Sequence, residues 1–482
     1  MSLFFRWCII GMCFVAAGNS VAIDWPIMPQ NESHPLGNSY GEFQRYNGDP
    51  YFHPGIDIMA LPGTPVYAIK SGYVKAVLTT SAELHWRVAI GDSAGAQECD
   101  GWLYAHLDLA TIAVSEGQWV EKGQYLGEVV YWPIAGFSHL HFVKIRDAGI
   151  TWNAGWQFIG NPLDELAVID DSEAPGFDNA VGSQIFAFCQ NESASYFGIG
   201  EELSGDVDVI CRAYDIINSP LWEVAPYKLE YRIDGDSSIP WTTSVCFTGF
   251  LDWYRNIDVV YQDDAVCSSR GDYDERRFFF NLTNTDGDSV VEVSDKPLSW
   301  QTASFHNGDY VVRARASDRY GNSREDSITV TVVNYFTLDG TVTMADGSPQ
   351  LGGTEVAVPG TGQADVTEPD GTFSISMVGG GSQSVEVSRP GYATIDTVLM
   401  MNRHHTLQLV LTPAPYVLGD CNYDRRVDVG DAVFLINYAF RDGAAPMPYI
   451  SGDANSDALV NVGDAVYLVN YIFRGGPPPQ SR

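Results

Sequence analysis

Five residues carry the plainest chemistry in the chain. They are His53 and Asp57 in His53-Pro54-Gly55-Ile56-Asp57, His106 in Tyr104-Ala105-His106-Leu107, and both histidines of His139-Leu140-His141. Zinc takes about four ligands from His, Cys or Asp/Glu, and a catalytic site leaves one position for water. This set holds more imidazole than a three-ligand site requires. The surplus could serve as a general base and as a transition-state stabiliser. The pattern therefore points to a metal site with catalytic bases attached. The remaining histidines, His34, His85, His306, His404 and His405, are read as surface or structural residues.

These side chains need elements that bring them together. Residues two apart on a strand face the same side, and residues 139–145 alternate as a strand does, so His139 and His141 converge. His53 and Asp57 are four apart, and a loop bending at Pro54-Gly55 would carry both to one ion. Residues 65–69, 72–77, 87–90 and 102–104 read as strands, with glycine-punctuated turns and short strands over 117–127. No useful helical period occurs between residues 30 and 168. The expected fold of this region is mainly antiparallel β.

The whole chain has 482 residues, too many for one ordinary core, and predicts three to four domains. With 27 basic against 61 acidic residues the formal net charge is −34, which leaves no basic footprint for nucleic acid. The acidity fits solubility and also cation binding by acidic loops. Arg6, the apolar run 7–17 and Ser20-Val21-Ala22 read as a signal peptide over 1–22 with Ile23 as the first mature residue, and the run is too short to span a bilayer. Cys13 follows Met12 rather than a small residue, which argues against a lipid anchor. No other stretch predicts a transmembrane segment. Cys189/Cys211 and Cys246/Cys267 are spaced like neighbouring strands, and one or two disulfides are expected among them in an oxidising compartment.

The stretch from His53 to Ile145 resembles the lysostaphin-type (LytM-domain) zinc endopeptidases. The matching text is His53-Pro-Gly-Ile-Asp57, Gly63-Thr-Pro-Val-Tyr-Ala68, Gly72-Tyr-Val74, Tyr104-Ala-His106-Leu107, Val120-Glu-Lys-Gly123-Gln124 with Gly127, and His139-Leu-His141-Phe142, in the family's order. The resemblance implies one zinc ion held by His53, Asp57 and His141. It also implies that His106 and His139 flank the attacked carbonyl, with His106 favoured as the base and His139 as the oxyanion stabiliser. It implies cleavage of peptide cross-links or stems in bacterial cell walls, often next to glycine. Tyr104 and Trp132 are expected to line the groove. The chain departs from the family pattern at the lead-in around Phe137 and at Val143, both expected to reshape the groove. Asn31 and Asn38, ahead of His53, are candidate donors for masking the site.

Beyond Ser172-Glu-Ala-Pro175 the text is strand-like at 203–214, 227–233, 310–316 and 327–333, which suggests an immunoglobulin- or fibronectin-type sandwich acting as a spacer or wall-facing module. Residues 336–413 resemble the carboxypeptidase regulatory-like sandwich, with Asp370-Gly371 as a hairpin turn. The C-terminus repeats in tandem. Hard oxygen donors recur as Asp420, Asn422, Asp424, Asp428 and Asp431, and again as Asp453, Asn455, Asp457, Asn461 and Asp464. Calcium takes six to eight such ligands, and backbone oxygens of Arg426 and Leu459 complete the two predicted sites. A helix follows each loop, with Val433, Ile436 and Phe440 on one face and Val466, Val469 and Phe473 in the second copy. Arg425 and Ala458 replace the EF-hand glycine, and Asp431 and Asp464 replace its glutamate. These features resemble a type I dockerin, whose partner is a cohesin; Val429-Gly430 and Val462-Gly463 are candidate partner-facing positions.

The expected protein is multidomain and mainly β. It comprises a signal peptide (1–22), a peptidase domain (23–170), an Ig-like sandwich (171–335), a regulatory-like sandwich (336–413) and a small α calcium-binding dockerin (416–482). The expected function is a secreted, periplasmic or cell-surface bacterial zinc metalloendopeptidase acting on peptidoglycan, docked through two calcium ions to a cohesin. The same chemistry on a secreted or surface protein, and a non-enzymatic wall-binding protein with a degenerate peptidase fold, are the alternatives.

Overall fold

Val, Ile, Tyr and Trp recur at every second position over much of the chain, and such residues fit a pleated, half-buried surface. The computed structural model is accordingly built of strands. It describes residues 23–46, 48–79, 84–152, 158–167, 171–218, 221–252 and 254–480. The expected signal peptide lies outside the described residues. The chain divides into two compact units. The first comprises the described residues up to Glu201, with Asp206–Trp300 and Asp309–Val330; the second comprises Glu202–Gly205, Gln301–Gly308 and Thr331 onward.

The first unit is centred on a nine-stranded sheet. Seven of its strands run in the order Leu36–Asn38, Ile56–Met59, His139–Asp147, Cys99–Ala105, Arg87–Gly91, Gly72–Leu78 and Trp119–Val120. Its pairings are antiparallel. The strands expected at 72–77, 87–90 and 139–145 are present almost at the expected bounds. The chain bends at Gly55 as expected, but the loop ends there. Asp57 lies on the strand Ile56–Met59, which inserts beside His139–Asp147. Gly55 makes that insertion possible, because a Cβ there would meet the Phe142 carbonyl oxygen at 2.4 Å.

The segment expected to be a separate spacer belongs to this same unit. It has its own antiparallel sheets, including Ile239–Cys246, Lys228–Asp234, Gly308–Ser317 and Ser323–Val332 in one. It also reaches into the first sheet. Phe250–Leu251 pairs with Phe158–Gly160, which pairs with the far end of His139–Asp147. The short hairpin Arg270–Gly271/Arg276–Arg277 packs on the strand Phe43–Gln44 so closely that a Cβ on Gly271 would lie 2.0 Å from the Phe43 carbonyl oxygen. Tyr261 Oη donates to Gly41 O at 2.9 Å, and Tyr40 Oη to Ile159 O at 2.9 Å.

The expected cysteine pairs do not form; no disulfide joins any of the six cysteines among the described residues. Phe186 stands opposite Cys211, and Cys189 opposite Asp208. Cys189 and Cys211 are therefore an odd number of residues out of register and project to opposite faces. Strand spacing in sequence does not reveal that parity.

In the second unit, residues 335–411 form two sheets of three and four strands around one core that includes Leu338, Val356, Phe373, Val385 and Leu411. Two helices follow, Val429–Arg441 and Val462–Arg474. They bury Ala432, Leu435, Ala465 and Leu468 against Cys421 and Ala454. The face picked out by Val433, Ile436 and Phe440 is the outer one, at 50%, 40% and 69% exposure, and Val466 and Phe473 repeat it at 56% and 65%. Ala432, Leu435, Ala465 and Leu468 fill the helix–helix contact, and Val469, expected beside Val466 and Phe473, packs against that core instead. Asp346 ties the sandwich to the repeat region by accepting from Tyr392 Oη at 3.1 Å and from Ile450 N at 3.1 Å. No helix among the described residues is long and apolar enough to cross a membrane.

Candidate metal centre and its cleft

Asp57 and His141 sit directly opposite each other on adjacent antiparallel strands, so their side chains share one face. His53 enters from the residues just before Ile56–Met59. The three side chains converge: His141 Nδ1 is 2.7 Å from Asp57 Oδ1, His53 Nε2 is 3.4 Å from the same oxygen, and the two ring nitrogens are 3.2 Å apart. Tetrahedral ligands at zinc distances of about 2.0–2.1 Å lie roughly 3.3 Å from one another. Two imidazole nitrogens and one carboxylate oxygen at these separations therefore fit a zinc ion, and this trio is the group among the described residues that could hold a metal.

The shell behind the ligands fixes which atoms face the centre. His53 Nδ1 donates to Ser39 O at 2.8 Å, which leaves Nε2 as the lone-pair nitrogen. Ser39 N in turn donates to Glu42 Oε2 at 2.9 Å, and Glu42 is wholly buried. Asn38 is part of this same network: its amide donates to Glu42 and its oxygen accepts from Arg276 Nη2 at 3.3 Å. Asn38 is thus committed to Glu42 and Arg276 rather than to masking the centre, and Asn31 is exposed on a turn.

The other two histidines stand beside the trio. His139 Nδ1 faces Phe137 O at 2.8 Å, and its Nε2 is 3.5 Å from Asp57 Oδ2. His106 Nδ1 faces Leu84 O at 3.0 Å, which turns Nε2 toward the cleft. His106 holds a left-handed backbone, φ 63°, at the end of Cys99–Ala105. Its carbonyl accepts from Val130 N at 2.8 Å, so the strained conformation is held from both sides. The rings of His106 and His139 are 4.6 Å apart, and those of His106 and His141 5.7 Å.

Electrostatics divides the imidazoles. Burial pushes His106 well below the ordinary histidine value, and the neighbouring His139 and His141 add to this. Burial also takes His141 down to about 4, against the pull of Asp57. His53 moves up, because the Asp57 carboxylate outweighs the cost of burial. Asp57 itself is also buried, yet His139 and His53 hold it well below the usual carboxylate range. The site thus holds Asp57 ionised and His106 and His141 neutral, the state in which a ligand binds metal and a base accepts a proton.

All five expected residues open onto one cleft of about 950 Å³. Trp132 lines it as expected, 4.4 Å from the His106 ring and 5.1 Å from the His139 ring. Tyr104 does not. It is fully buried, its hydroxyl accepts from Ile69 N at 3.0 Å, and its ring packs on Phe142. Val143 is fully buried as well, and Phe137 lies behind His139 at 4.8 Å. Neither reshapes the groove from its surface. Sequence reading also missed His85, exposed in the cleft 5.1 Å from His106, and Tyr254 and Tyr273 from the second β segment. A lone histidine and two tyrosines more than a hundred residues away carry no local signal of this placement.

The two acidic loops repeat in three dimensions. Tyr423 and Arg425 have φ of 61° and 69°, and Ser456 and Ala458 have 60° and 73°. In each loop the first aspartate accepts from two later amides: Asp420 from Asp424 N and Arg425 N, Asp453 from Asp457 N and Ala458 N. Asp428 and Asn461 cap the helices, each in a capping box with Asp431 or Asp464. Burial raises both of these carboxyls above the usual range.

Against known proteins, residues 51–153 match the model of "Peptidase family M23". No curated protein matches the chain. Among solved structures, the chain is similar to the catalytic domain of the antimicrobial peptidase lysostaphin from Staphylococcus simulans, with 27% identity over 23% of this chain and 80% of that one, TM-score 0.20. It is similar to a variant of the catalytic domain of the prophage-encoded M23 protein EnpA from Enterococcus faecalis, with 26% identity over 25% and 86%, TM-score 0.20. A mutant type II cohesin–X-dockerin complex from Acetivibrio cellulolyticus aligns at 16% identity over 30% of this chain and 97% of that one, TM-score 0.18. The five converging residues lie inside the matched segment, and residues 51–153 of this chain are a peptidase family M23 domain.

Proposed function

We propose that the first unit is a zinc metalloendopeptidase that hydrolyses peptide bonds in peptidoglycan cross-links or stems. The observation that carries this reading is the trio His53 Nε2, Asp57 Oδ1 and His141 Nδ1, separated by 2.7–3.4 Å, with two further histidines facing the same cleft. A zinc ion held there supplies Lewis acidity that polarises a carbonyl and acidifies water toward a pKa of about 7. His53, Asp57 and His141 would hold the ion. His106, neutral and with Nε2 turned to the cleft, takes the proton from the attacking water and later returns it to the leaving amine. His139, oriented by Phe137 O, donates to the developing oxyanion. Trp132 excludes water along one side.

The C-terminal repeats belong to a calcium-loaded dockerin in this reading. Supporting it are the duplicated loop backbone and the outward apolar face of Val433, Ile436, Phe440, Val466 and Phe473, which suits a cohesin-type protein. Asp420, Asn422, Asp424, Asp428 and Asp431 with the Arg426 carbonyl would hold one calcium ion. Asp453, Asn455, Asp457, Asn461 and Asp464 with the Leu459 carbonyl would hold the other. Residues 1–22, read as a signal peptide, would carry both activities outside a bacterial cell.

Zymography on cell-wall material, with and without a zinc chelator, tests the peptidase. Clearing abolished by the chelator is expected. Activity on casein but not on wall would move the substrate to proteins, and zinc-loaded protein inert on both would sink the enzymatic reading.

A further inference from the structure

The cleft beside His139 is completed by the β segment that follows the M23 domain. Tyr273 sits at the tip of the hairpin Arg270–Gly271/Arg276–Arg277, and its hydroxyl accepts from Trp132 Nε1 at 3.2 Å. Its ring lies 4.6 Å from Phe137, which backs His139, and 5.4 Å from Tyr46. Tyr254 stands on the same wall, 62% exposed, with its ring 6.3 Å from that of Tyr51, two residues before His53. The hairpin is pinned in place. Arg276 is buried, donates to Gly37 O and to Glu223 O at 2.8 Å, and lies over the rings of Phe137 and Trp222 at 5.6 and 5.1 Å. Tyr46 Oη donates to Gly271 O at 3.2 Å.

We propose that Tyr254 and Tyr273 are specificity-determining residues that make this cleft select a peptide bearing an apolar side chain beside the scissile bond, rather than a bare run of glycine. The proposal rests on reading the cleft as a peptide site. Its volume, about 950 Å³, lies at the upper end of the roughly 300–1,000 Å³ of ordinary ligand pockets. Extended glycine backbone would leave most of that space unfilled. Aromatic rings give faces and edges for an aliphatic or aromatic side chain at low cost in conformational entropy. Tyr46, Tyr51, Trp132, Tyr254 and Tyr273 all line it. The wall is also rigid, since its hairpin is held by buried hydrogen bonds to the strand and turn that position His53.

The test uses the full chain with zinc and two capped peptides, pentaglycine and the same peptide with leucine at its centre. Binding is read by calorimetry and hydrolysis from released amine, with zinc content and melting temperature as controls. The wild type is expected to bind the leucine peptide roughly tenfold more tightly, the scale of burying one aliphatic side chain. Tyr254→Ala and Tyr273→Ala should each cut that ratio at least threefold, through binding and KM rather than kcat. Tyr273→Phe, which keeps the ring, should retain it. A wild-type ratio of one or below, or a ratio kept in both alanine variants, overturns the proposal. If Tyr273→Ala fails to fold, exposed Tyr254 decides the outcome alone. Preferential binding without hydrolysis supports the wall and sinks the peptidase reading; hydrolysis without preference does the reverse.

Discussion

His53, His106 and His139 each have Nδ1 held by a backbone carbonyl, which leaves Nε2 turned inward. His106 is the clearest case, because Leu84 O holds Nδ1 while burial keeps the ring neutral. His106→Ala should therefore retain zinc and lose about 10²–10⁴-fold in kcat, the usual contribution of a general base. Metal analysis beside a turnover assay checks this, and wild-type turnover would remove His106 from the mechanism. Asp57→Ala should instead lose the metal itself, because it removes the oxygen shared by two imidazoles; full zinc occupancy after dialysis would contradict the ligand assignment. The same residues set a pH dependence. His141, pushed down to about 4, and His106, also shifted down, are neutral when folded, whereas unfolded histidines titrate near about 6.5. The unfolded chain then takes up more protons as pH falls, so their contribution is present above about 6.5 and is lost as pH falls toward the folded values. His53, raised by Asp57, contributes below about 6.5 and loses that contribution as pH rises through its folded value. Burial raises Asp208 to about 7 and Asp215 to about 8, and these oppose the histidines between pH 5 and 7, so the site's share is read by difference. Going from pH 7 to pH 5, the chelated wild type should lose more melting temperature, or gain less, than chelated His141→Ala; an identical pH response in the two would remove His141 from the pH dependence.

At the scale of elements, two devices stand out. The hairpin carrying Tyr273 is anchored by Arg276, whose guanidinium reaches Gly37 O, Glu223 O and Asn38 Oδ1. Removing it strands those acceptors and takes a positive charge from beside buried Glu42. Arg276→Ala should cost about 2–3 kcal/mol, by comparison with hydrogen bonds to charged groups, and denaturant unfolding would measure it. The two C-terminal helices each begin in a capping box closed by Asp431 or Asp464. Asp464→Ala should cost about 1 kcal/mol from the cap alone and should also abolish any calcium-induced rise in helical circular dichroism. A calcium response identical to wild type would remove Asp464 from the ligand set.

For the whole molecule, the unit boundary has practical weight. The M23 segment and the β segment that follows it share a sheet through Phe250–Leu251, and they share the cleft through Tyr254 and Tyr273. A fragment ending at residue 170 exposes the strand edge of Phe158–Gly160 and the faces of Tyr40 and Phe137. Such edges and patches promote association. That fragment should show a lower melting temperature than the full chain and a tendency to aggregate; a monomeric fragment with the full chain's stability would show the two segments to be independent.

What could be read from the chain alone follows from local rules. The strict two-residue period placed His139 and His141 on one face, and the duplicated loop text predicted two helices that begin one residue after Asp428 and Asn461. The five candidate residues meet in one cleft because ligand chemistry and motif order are written along the chain. Tertiary structure alone decided the rest. Asp57 became a strand residue because a neighbouring strand was available to pair with it. Tyr104 turned inward because strand parity, not motif membership, sets the side on which a ring lies. Val433, Ile436 and Phe440 stayed outside because Ala432 and Leu435 fill the helix contact. Tyr254 and Tyr273 reached the cleft across more than a hundred residues through a hairpin anchored by buried Arg276. Side-chain spacing encodes contacts within an element; which distant element closes over a site depends on packing, and no local period records it.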